Sequence, residues 1–386
     1  MTSQMKPHRI VQCANFVTPR SGGLRTAMRH LAQGYAAAGC EVVQIVPDRH
    51  DWTEDATWGR IEYVRAPALP GSGYRVIVQP GRVIHRLEQL APDRIEVHDR
   101  FTLRGLGQWA RSEGVPSMVI SHERLDRLVA RWLPTGRAPR RTVDASNRGL
   151  AENFDTVVCT TDYAAEEFRR FRAGNLVQVP LGVDLVGFHP SNYDEDLRAR
   201  LTPHGEALIV SAVRLSPEKA PMRVVDTVRE LVRRGRSVRC IVAGDGPLRA
   251  KLEKAADGLP ITFLGFLTDR AELGRLLATA DVVVAPGPIE TFGLAALEAL
   301  ASGTPVVVDS GSALPEVIGS AGFAVPGQPE SFAGAVEALL EVSRERARNA
   351  ARDRAECFPW SATIDGFLAA HKIPRARVAD PVGVWS

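Results

Sequence analysis

Two glutamates, Glu290 and Glu298, bracket the start of a predicted helix that follows an apolar, strand-like run and a Pro-Gly-Pro turn. The first amides of a helix have no intrahelical acceptor, so the N–H groups of Phe292, Gly293 and Leu294 point outward at the positive end of the helix dipole. Such amides bind phosphate, and carboxylates beside them suit the hydroxyl groups of a sugar or a ribose. The pattern predicts a nucleotide-sugar site, although Glu290 alone could be a helix cap and Glu298 a solvated helix residue.

A second pattern supplies positive charge. Arg214 and Lys219 flank a turn that follows a predicted strand, and lysine is rare in this arginine-rich chain. Two cations in that place can bind a diphosphate and stabilise its charge as the bond to the sugar breaks. The alternative is a solvated arginine and a lysine that merely begins a helix.

Two further residues lie where α/β proteins bind ligands. The pair Gly22-Gly23 follows the first predicted strand and would let the backbone approach a ligand closely, although a plain tight turn explains it equally well. His122 ends a strand and precedes a helix, which is a frequent position for catalytic groups, whereas a structural histidine is the alternative. A Gly-x-Gly-x-x-Gly motif is absent from the sequence, which disfavours NAD.

Strand-like and helix-like segments alternate along the chain, which predicts an α/β fold with parallel sheets covered by helices on both faces. The alternation pauses at 181–192, a stretch rich in turn residues. A chain of 386 residues suits two domains, which we place at 1–185 and 186–359. Because ligands bind beyond the carboxyl ends of such strands, the site should lie in a cleft between the two domains.

Composition limits the classes of function. A hydrophobic fraction of 45% with 24% charged residues is typical of a soluble globular protein, and no apolar run is long enough to span a membrane. The five cysteines form no metal-binding motif and no Asp-x-Asp motif is aimed at a metal, so we predict no metal and no cofactor beyond the nucleotide-sugar. A net charge of +3 without an aromatic-basic motif argues against a nucleic-acid partner. These features predict a cytoplasmic enzyme, or one bound peripherally at the inner face of the plasma membrane.

The segment 286–308 resembles the signature of the glycosyltransferase 4 family, retaining enzymes that include sucrose synthases and bacterial lipid mannosyltransferases. The run from Arg214 to Lys219 also matches the family's Gly-Arg-Leu-x-x-Glu-Lys pattern, except that Val213 replaces the glycine. The resemblance implies the GT-B fold, in which two Rossmann-like domains face each other across the active site. It further implies an acceptor domain first, a donor domain second, and a C-terminal segment, about 360–386, that packs back on the first.

The same resemblance implies roles for single residues. The amide of Gly23 would meet the donor diphosphate, and His122 would face the transferred sugar and support its developing positive charge. Glu290 would bind sugar hydroxyl groups rather than act as a nucleophile. The leaving phosphate would then assist the acceptor on the same face of the sugar, which gives retention of configuration.

Motifs along nearly the whole chain, among them 120–127, 179–185 and 285–298, are similar to those of actinobacterial mannosyltransferases acting on phosphatidylinositol dimannoside. This resemblance implies GDP-mannose as the donor and an anionic, mannosylated inositol lipid as the acceptor. Three alternatives stay open: another nucleotide-sugar as donor, a soluble small-molecule acceptor, or a nucleotide-sugar epimerase.

Two amphipathic stretches bear on a membrane contact. In 81–90, apolar residues share one face beside Arg82 and Arg86, and in 124–133 a similar face lies opposite Arg124, Arg127 and Arg131. Each stretch could bind an anionic lipid surface, or it could simply pack on its own sheet.

Overall fold

The computed structural model describes residues 7–18, 22–70, 72–130 and 137–374, and within them strands and helices alternate as expected. The elements of the first half are β1 (Arg9–Cys13), α1 (Gly23–Ala37), β2 (Glu41–Asp48), β3 (Trp52–Ala56), β4 (Gly59–Arg65), β5 (Ala68–Leu69), β6 (Tyr74–Arg75), α2 (Pro80–Leu90), β7 (Arg94–Val97), α3 (Leu106–Ser112), β8 (Ser117–Ser121), α4 (Leu125–Val129), α5 (Arg137–Asn153), β9 (Thr156–Cys159), α6 (Asp162–Arg169) and β10 (Leu176–Gln178). The elements of the second half are α7 (Glu195–Leu201), β11 (Ala207–Ser211), α8 (Met222–Arg233), β12 (Val238–Ala243), α9 (Arg249–Ala255), β13 (Ile261–Gly265), α10 (Arg270–Thr279), β14 (Val282–Ala285), α11 (Leu294–Ala301), β15 (Val306–Asp309), α12 (Leu314–Ile318), β16 (Gly322–Val325), α13 (Pro329–Leu340), α14 (Arg344–Glu356) and α15 (Trp360–Ala370).

The first sheet runs in the order β10-β9-β8-β7-β1-β2-β4-β3. Its strands are parallel except β3, which pairs antiparallel with β4. Helix α1 covers one face, and α2, α3, α5 and α6 cover the other, so the central strands are buried on both sides. The sequence analysis did not predict strand β3. The ring of Trp52 in β3 stacks on the ring of Tyr63 in β4, with centroids 4.0 Å apart, and this contact holds the exposed edge strand against the sheet.

The second sheet runs in the order β13-β12-β11-β14-β15-β16, with each described pair parallel. Its central strands β11 and β14 end in the segments 212–221 and 286–293. These two segments carry most of the residues that the sequence singles out, because neighbouring parallel strands deliver their carboxyl ends to the same edge.

Helix α15 returns from the second sheet to the first. It packs on α1, where Gly34 leaves room for Ile364, and the ring of Trp360 stacks on His30 at 4.5 Å. Where the chain crosses back, the amide of Val183 donates to the carbonyl of Phe358 at 2.9 Å. Of the predicted returning segment, residues 375–386 lie outside the described residues, and the domain limits at 185 and 359 stay a prediction.

Candidate functional site

The turn between β14 and α11 has the geometry of an anion site. Gly293 caps α11 with φ +85°, and a Cβ atom there would lie 2.1 Å from Cδ2 of Leu314, so only glycine fits. Within the described part of the chain, no oxygen accepts a hydrogen bond from the amides of Phe292, Gly293 or Leu294. These donors are therefore available to a ligand at the positive end of the helix dipole.

Glu290 and Lys219 meet in this turn. The Lys219 ammonium donates to Oε1 of Glu290 at 2.6 Å, although the two residues come from loops after different strands. Burial acts to lower the pKa of Lys219, but the Glu290 carboxylate, together with Glu218 and Tyr74, outweighs burial and the pKa is raised. Lys219 is therefore a fixed cation, and the alternatives of a lysine that merely begins a helix and of Glu290 as a mere helix cap do not describe the structure.

Arg214 bridges the two sheets. Its guanidinium donates to the carbonyl of Ser72, in the turn between β5 and β6, and lies 4.3 Å from the ring centroid of Tyr74. The ring of Tyr74 in turn packs edge-on against Phe16 at 5.7 Å. A cation of the second domain is thus held by the hairpin of the first, which sets its position at the mouth of the cleft.

His122 and Gly23 approach the same turn from the first domain. The hydroxyl of Thr291 donates to the carbonyl of His122, and the hydroxyl of Thr161 donates to the carbonyl of Thr291 at 2.8 Å. A Cβ atom on Gly23 would lie 3.6 Å from Cδ1 of Leu294, so the first turns of α1 and α11 lie side by side. Burial, followed by the neighbouring His98, lowers the pKa of His122 to about 3, so its imidazole is neutral near pH 7.

Glu298 lies apart from Glu290. It is 7% exposed in α11, and its carboxylate accepts from Arg270 at 2.8 Å, while the Arg270 guanidinium lies 4.6 Å from the ring centroid of Phe188. Burial raises the pKa of Glu298, and Arg270 partly opposes that effect. The interpretation of Glu298 as a solvated helix residue is therefore wrong, but the structure gives the two glutamates different cation partners.

Sequence reasoning missed His98 and Glu96. Nδ1 of His98 lies 2.8 Å from Nε2 of His122, and Nε2 of His98 lies 2.6 Å from Oε1 of Glu96. The signal was present as Glu-Val-His at 96–98, where polar residues interrupt an apolar strand whose side chains are fully buried. A buried carboxylate beside a histidine needs a partner, so this alternation of polar residues in an apolar strand is itself the signal of a site.

Two properties of the described residues bear on the remaining expectations. None of their helices is long and apolar enough to cross a membrane. They also contain no group of three or more His, Cys, Asp or Glu side chains that could hold a metal ion. Independence from metal stays a prediction.

Comparison with known proteins decides the family. Residues 206–342 match the profile of Glycosyl transferases group 1, and residues 22–182 match that of the Glycosyl transferase 4-like domain. A GDP-mannose-dependent alpha-(1-6)-phosphatidylinositol dimannoside mannosyltransferase from Mycobacterium tuberculosis is 47% identical over 94% of this chain and 95% of its own. This chain belongs to the glycosyltransferase family that these two profiles describe. A more distant relative, a D-inositol 3-phosphate glycosyltransferase from Jonesia denitrificans, is 27% identical over 99% of both chains.

Solved structures confirm the fold of this glycosyltransferase. A sucrose-phosphate synthase from Thermosynechococcus elongatus superposes with a TM-score of 0.73 at 22% identity, covering 95% of this chain and 98% of its own. The Anabaena protein HepE in complex with UDP-glucose gives a TM-score of 0.73 at 17% identity, covering 94% and 99%. The GT-B fold predicted from the resemblance is therefore confirmed.

The structure corrects the interpretation of the first amphipathic stretch, 81–90, which forms α2 of the glycosyltransferase. The apolar residues Val83, Leu87 and Leu90 of α2 are buried in their own domain, so α2 has no free apolar face. Arg82 pairs with Asp51 at 2.6 Å, and Arg86 lies 3.8 Å from Glu62. The interpretation of α2 as an interfacial helix is wrong, because burying these residues on the sheet satisfies the apolar face.

In the second stretch only Arg124 is buried among the described residues, whereas α4 has no buried residue and Arg127 is exposed. Arg124 is 3% exposed and is held by Asp126 and Glu166, each at 2.7 Å. The helix that it precedes, α4, ends at Val129, and Arg131, with the apolar residues 132 and 133, lies outside the described residues. Arg124 therefore cannot contribute to a basic surface.

Proposed function

We propose that this glycosyltransferase transfers a mannosyl group from GDP-mannose to a phosphatidylinositol mannoside, with retention of configuration. The observation that carries the proposal is the 47% identity, over 94% of the chain, to a phosphatidylinositol dimannoside mannosyltransferase. The proposed donor and acceptor are those in that relative's name.

The geometry of the cleft supports the donor half of this proposal. Lys219, Arg214 and the free amides at the start of α11 present positive charge and donors to one place, as a nucleoside diphosphate requires. His122 and Glu290 flank that place from opposite domains, linked through Thr291. We propose that these two side chains contact the transferred mannose.

Retention follows if the acceptor hydroxyl attacks on the face from which the diphosphate leaves. The departing phosphate oxygen then accepts the hydroxyl proton, and the fixed cations stabilise the diphosphate charge. The alternative is a double displacement with Glu290 as nucleophile. The Glu290 carboxylate is engaged by Lys219 at 2.6 Å, which lowers its nucleophilicity and favours a role in binding.

The direct test is a matrix of donors and acceptors. Purified protein is supplied with GDP-mannose, GDP-glucose or UDP-glucose, each with phosphatidylinositol dimannoside or with D-inositol 3-phosphate. We expect a trimannoside only from GDP-mannose and the lipid, with an α linkage by NMR. Transfer to the inositol phosphate instead would favour a soluble acceptor, which the 27% identical relative uses by name. Isomerised nucleotide-sugar without transfer would establish the epimerase.

We further propose that the membrane contact lies within the first two turns of α5. Arg140 and Arg141 are exposed there, and neither forms an ion pair with a described residue. Cations at a helix N-terminus oppose the helix dipole, so their presence costs stability unless an anionic partner compensates. An anionic phosphatidylinositol headgroup surface would supply that charge.

Replacing Arg140 and Arg141 together by glutamine should lower affinity for phosphatidylinositol-containing vesicles about tenfold or more, at about 1 kcal/mol for each arginine near an anionic surface. Vesicle sedimentation measures this, and raised salt should mimic the substitution. The matched control is Arg82→Gln with Arg86→Gln, whose side chains already face Asp51 and Glu62, and it should have a much smaller effect. Equal losses in both double variants would contradict the assignment of the contact to α5.

A further inference from the structure

A row of polar side chains crosses the interior of the first sheet. Gln44 of β2, Gln12 of β1 and Glu96 of β7 are in register on adjacent strands. The amide of Gln44 donates to Oε1 of Gln12 at 2.8 Å, and the amide of Gln12 donates to Oε1 of Glu96 at 2.9 Å. The row therefore ends at a carboxylate that is fully buried among apolar strands.

Glu96 is surrounded by donors from four parts of the chain. Besides Gln12, these are the hydroxyl of Tyr35 at 2.7 Å, Nε2 of His98 at 2.6 Å and Nε2 of His371 at 3.0 Å. Burial acts to raise the pKa of Glu96, but the hydrogen bonds from His371 and His98 outweigh it and lower the pKa. Glu96 is thus a buried, ionised carboxylate that fixes the proton of His98 on Nε2.

The open end of this network is His122. Its Nε2 lies 2.8 Å from Nδ1 of His98, and the two rings are nearly parallel, 15° apart, at 5.1 Å. With the His98 proton held on Nε2 by Glu96, its Nδ1 presents a lone pair, so Nε2–H of His122 donates to it. The remaining nitrogen of His122, Nδ1, is then unprotonated and can support positive charge on a neighbouring sugar.

A structural role alone is a poor explanation for this network. Apolar side chains of similar volume would fill the same space without the cost of burying a carboxylate. The network also draws in His371, at the end of the returning helix α15, so donors from four parts of the chain hold Glu96 in one place. Such an arrangement is the usual means of fixing the ring and tautomer of a functional histidine.

We propose that Glu96 and His98 are positioning residues for the transfer reaction, which hold His122 in one ring orientation with its proton on Nε2. The proposal rests on the proposed function, in which His122 faces the transferred sugar. Glu96 and His98 then lie behind His122 and hold it in place. His371, which follows helix α15, in turn supports Glu96.

Two substitutions of His98 separate its two hydrogen bonds. In His98→Gln, the amide lies near the position of Nε2 and can still donate to Glu96, but the bond to His122 is lost. In His98→Asn, the amide lies near the position of Nδ1 and can still accept from His122, but the bond to Glu96 is lost. We expect His98→Gln to lower turnover roughly 10–100-fold, by analogy with the partners that orient metal-bound histidines, and His98→Asn to lower it less.

A readout beyond activity distinguishes positioning from stability. Long-range ¹H–¹⁵N NMR should find His122 protonated on Nε2 in the wild type and in His98→Asn, and a mixture of tautomers in His98→Gln. GDP affinity and the melting temperature should change little in His98→Gln, because its Glu96 partner is kept. In the background of His122→Asn, His98→Gln should have no further effect on turnover, since the residue on which it acts is gone.

The outcomes separate this inference from the proposed function. Absence of mannosyl transfer by the wild-type protein overturns the proposed function, whatever the variants do. Normal transfer by the wild type together with full turnover in His98→Gln, or losses that add in the double variant, overturns the positioning role alone. An unchanged His122 tautomer in His98→Gln overturns it as well.

Discussion

Replacement of Glu290 by alanine is expected to lower turnover by roughly 10²–10³-fold, the scale for loss of one preorganised contact made in the transition state. The side chain is 15% exposed and held at 2.6 Å by Lys219, so it is fixed before any substrate arrives. A contact of this kind to a sugar hydroxyl strengthens as positive charge develops on the ring, and its removal therefore slows the chemical step. Initial rates of trimannoside formation with saturating GDP-mannose measure the effect.

The ion pair between Lys219 and Glu290 provides a control for this prediction, the affinity for GDP. In Glu290→Ala the Lys219 ammonium loses its carboxylate partner, so affinity for the product GDP should stay equal or rise. Glu290→Gln keeps an oxygen that accepts from Lys219 and should lose less turnover than alanine. Near-normal turnover in Glu290→Ala would remove Glu290 from the site, and a large loss of GDP affinity would instead assign it to the nucleotide.

The positions of the site residues could be predicted because they follow from a rule about sheets. Glu290, Lys219 and His122 each follow a parallel strand, and parallel strands in facing domains deliver those ends to one cleft. Gly293 could be predicted as an amide donor because it lies at the start of a predicted helix, whereas its positive φ and its close neighbour Leu314 are visible only in the structure. Gly23 was assigned to the site by the family resemblance, because its sequence pattern alone is explained equally well by a plain tight turn.

The pairing among these residues could not be predicted. Nζ of Lys219 lies 2.6 Å from Oε1 of Glu290, although the two residues are 71 positions apart in the sequence. Nothing in either local sequence pattern fixes the distance between their loops. The engagement of Arg214 by Ser72 and Tyr74 depends equally on how the two domains face each other. Sequence periodicity describes one element at a time, whereas these contacts depend on the docking of several.

Burial patterns explain the other differences. Helix α2 has the amphipathic pattern of an interfacial helix, but the same pattern is what packing on a sheet requires, and Val83 and Leu87 are fully buried. The helical pattern over 330–355 predicts one late helix, but the structure has two, α13 and α14, because Ser343 caps the second by accepting from the amide of Arg346 at 3.4 Å. The serine was a start signal within an otherwise continuous helical pattern.

Replacement of Lys219 or Arg214 by alanine is expected to weaken GDP binding by roughly 10–100-fold each, since a hydrogen bond to a charged group contributes about 1.5–3 kcal/mol. Turnover should fall further than GDP affinity, because the diphosphate gains charge as the glycosidic bond breaks and the fixed cations stabilise that state most. Lys219 also holds Glu290 in place, so its variant should leave the Glu290 side chain less fixed and disturb the sugar contact. Isothermal titration with GDP and transfer rates measure the two effects separately.

The matched control is Lys251→Ala, which removes an exposed lysine of α9 in the same domain and should leave both GDP affinity and the transfer rate unchanged.

Because Lys219 and Arg214 supply positive charge at the diphosphate, EDTA should have little effect on the wild-type rate, whereas an enzyme that relied on Mg²⁺ for this charge would stop. Arg214 carries a second consequence, since its guanidinium contacts the β5–β6 turn of the first domain. If Arg214→Ala bound GDP normally, the arginine would serve only to join the domains. Metal-free transfer would be overturned if chelation abolished activity and added Mg²⁺ restored it.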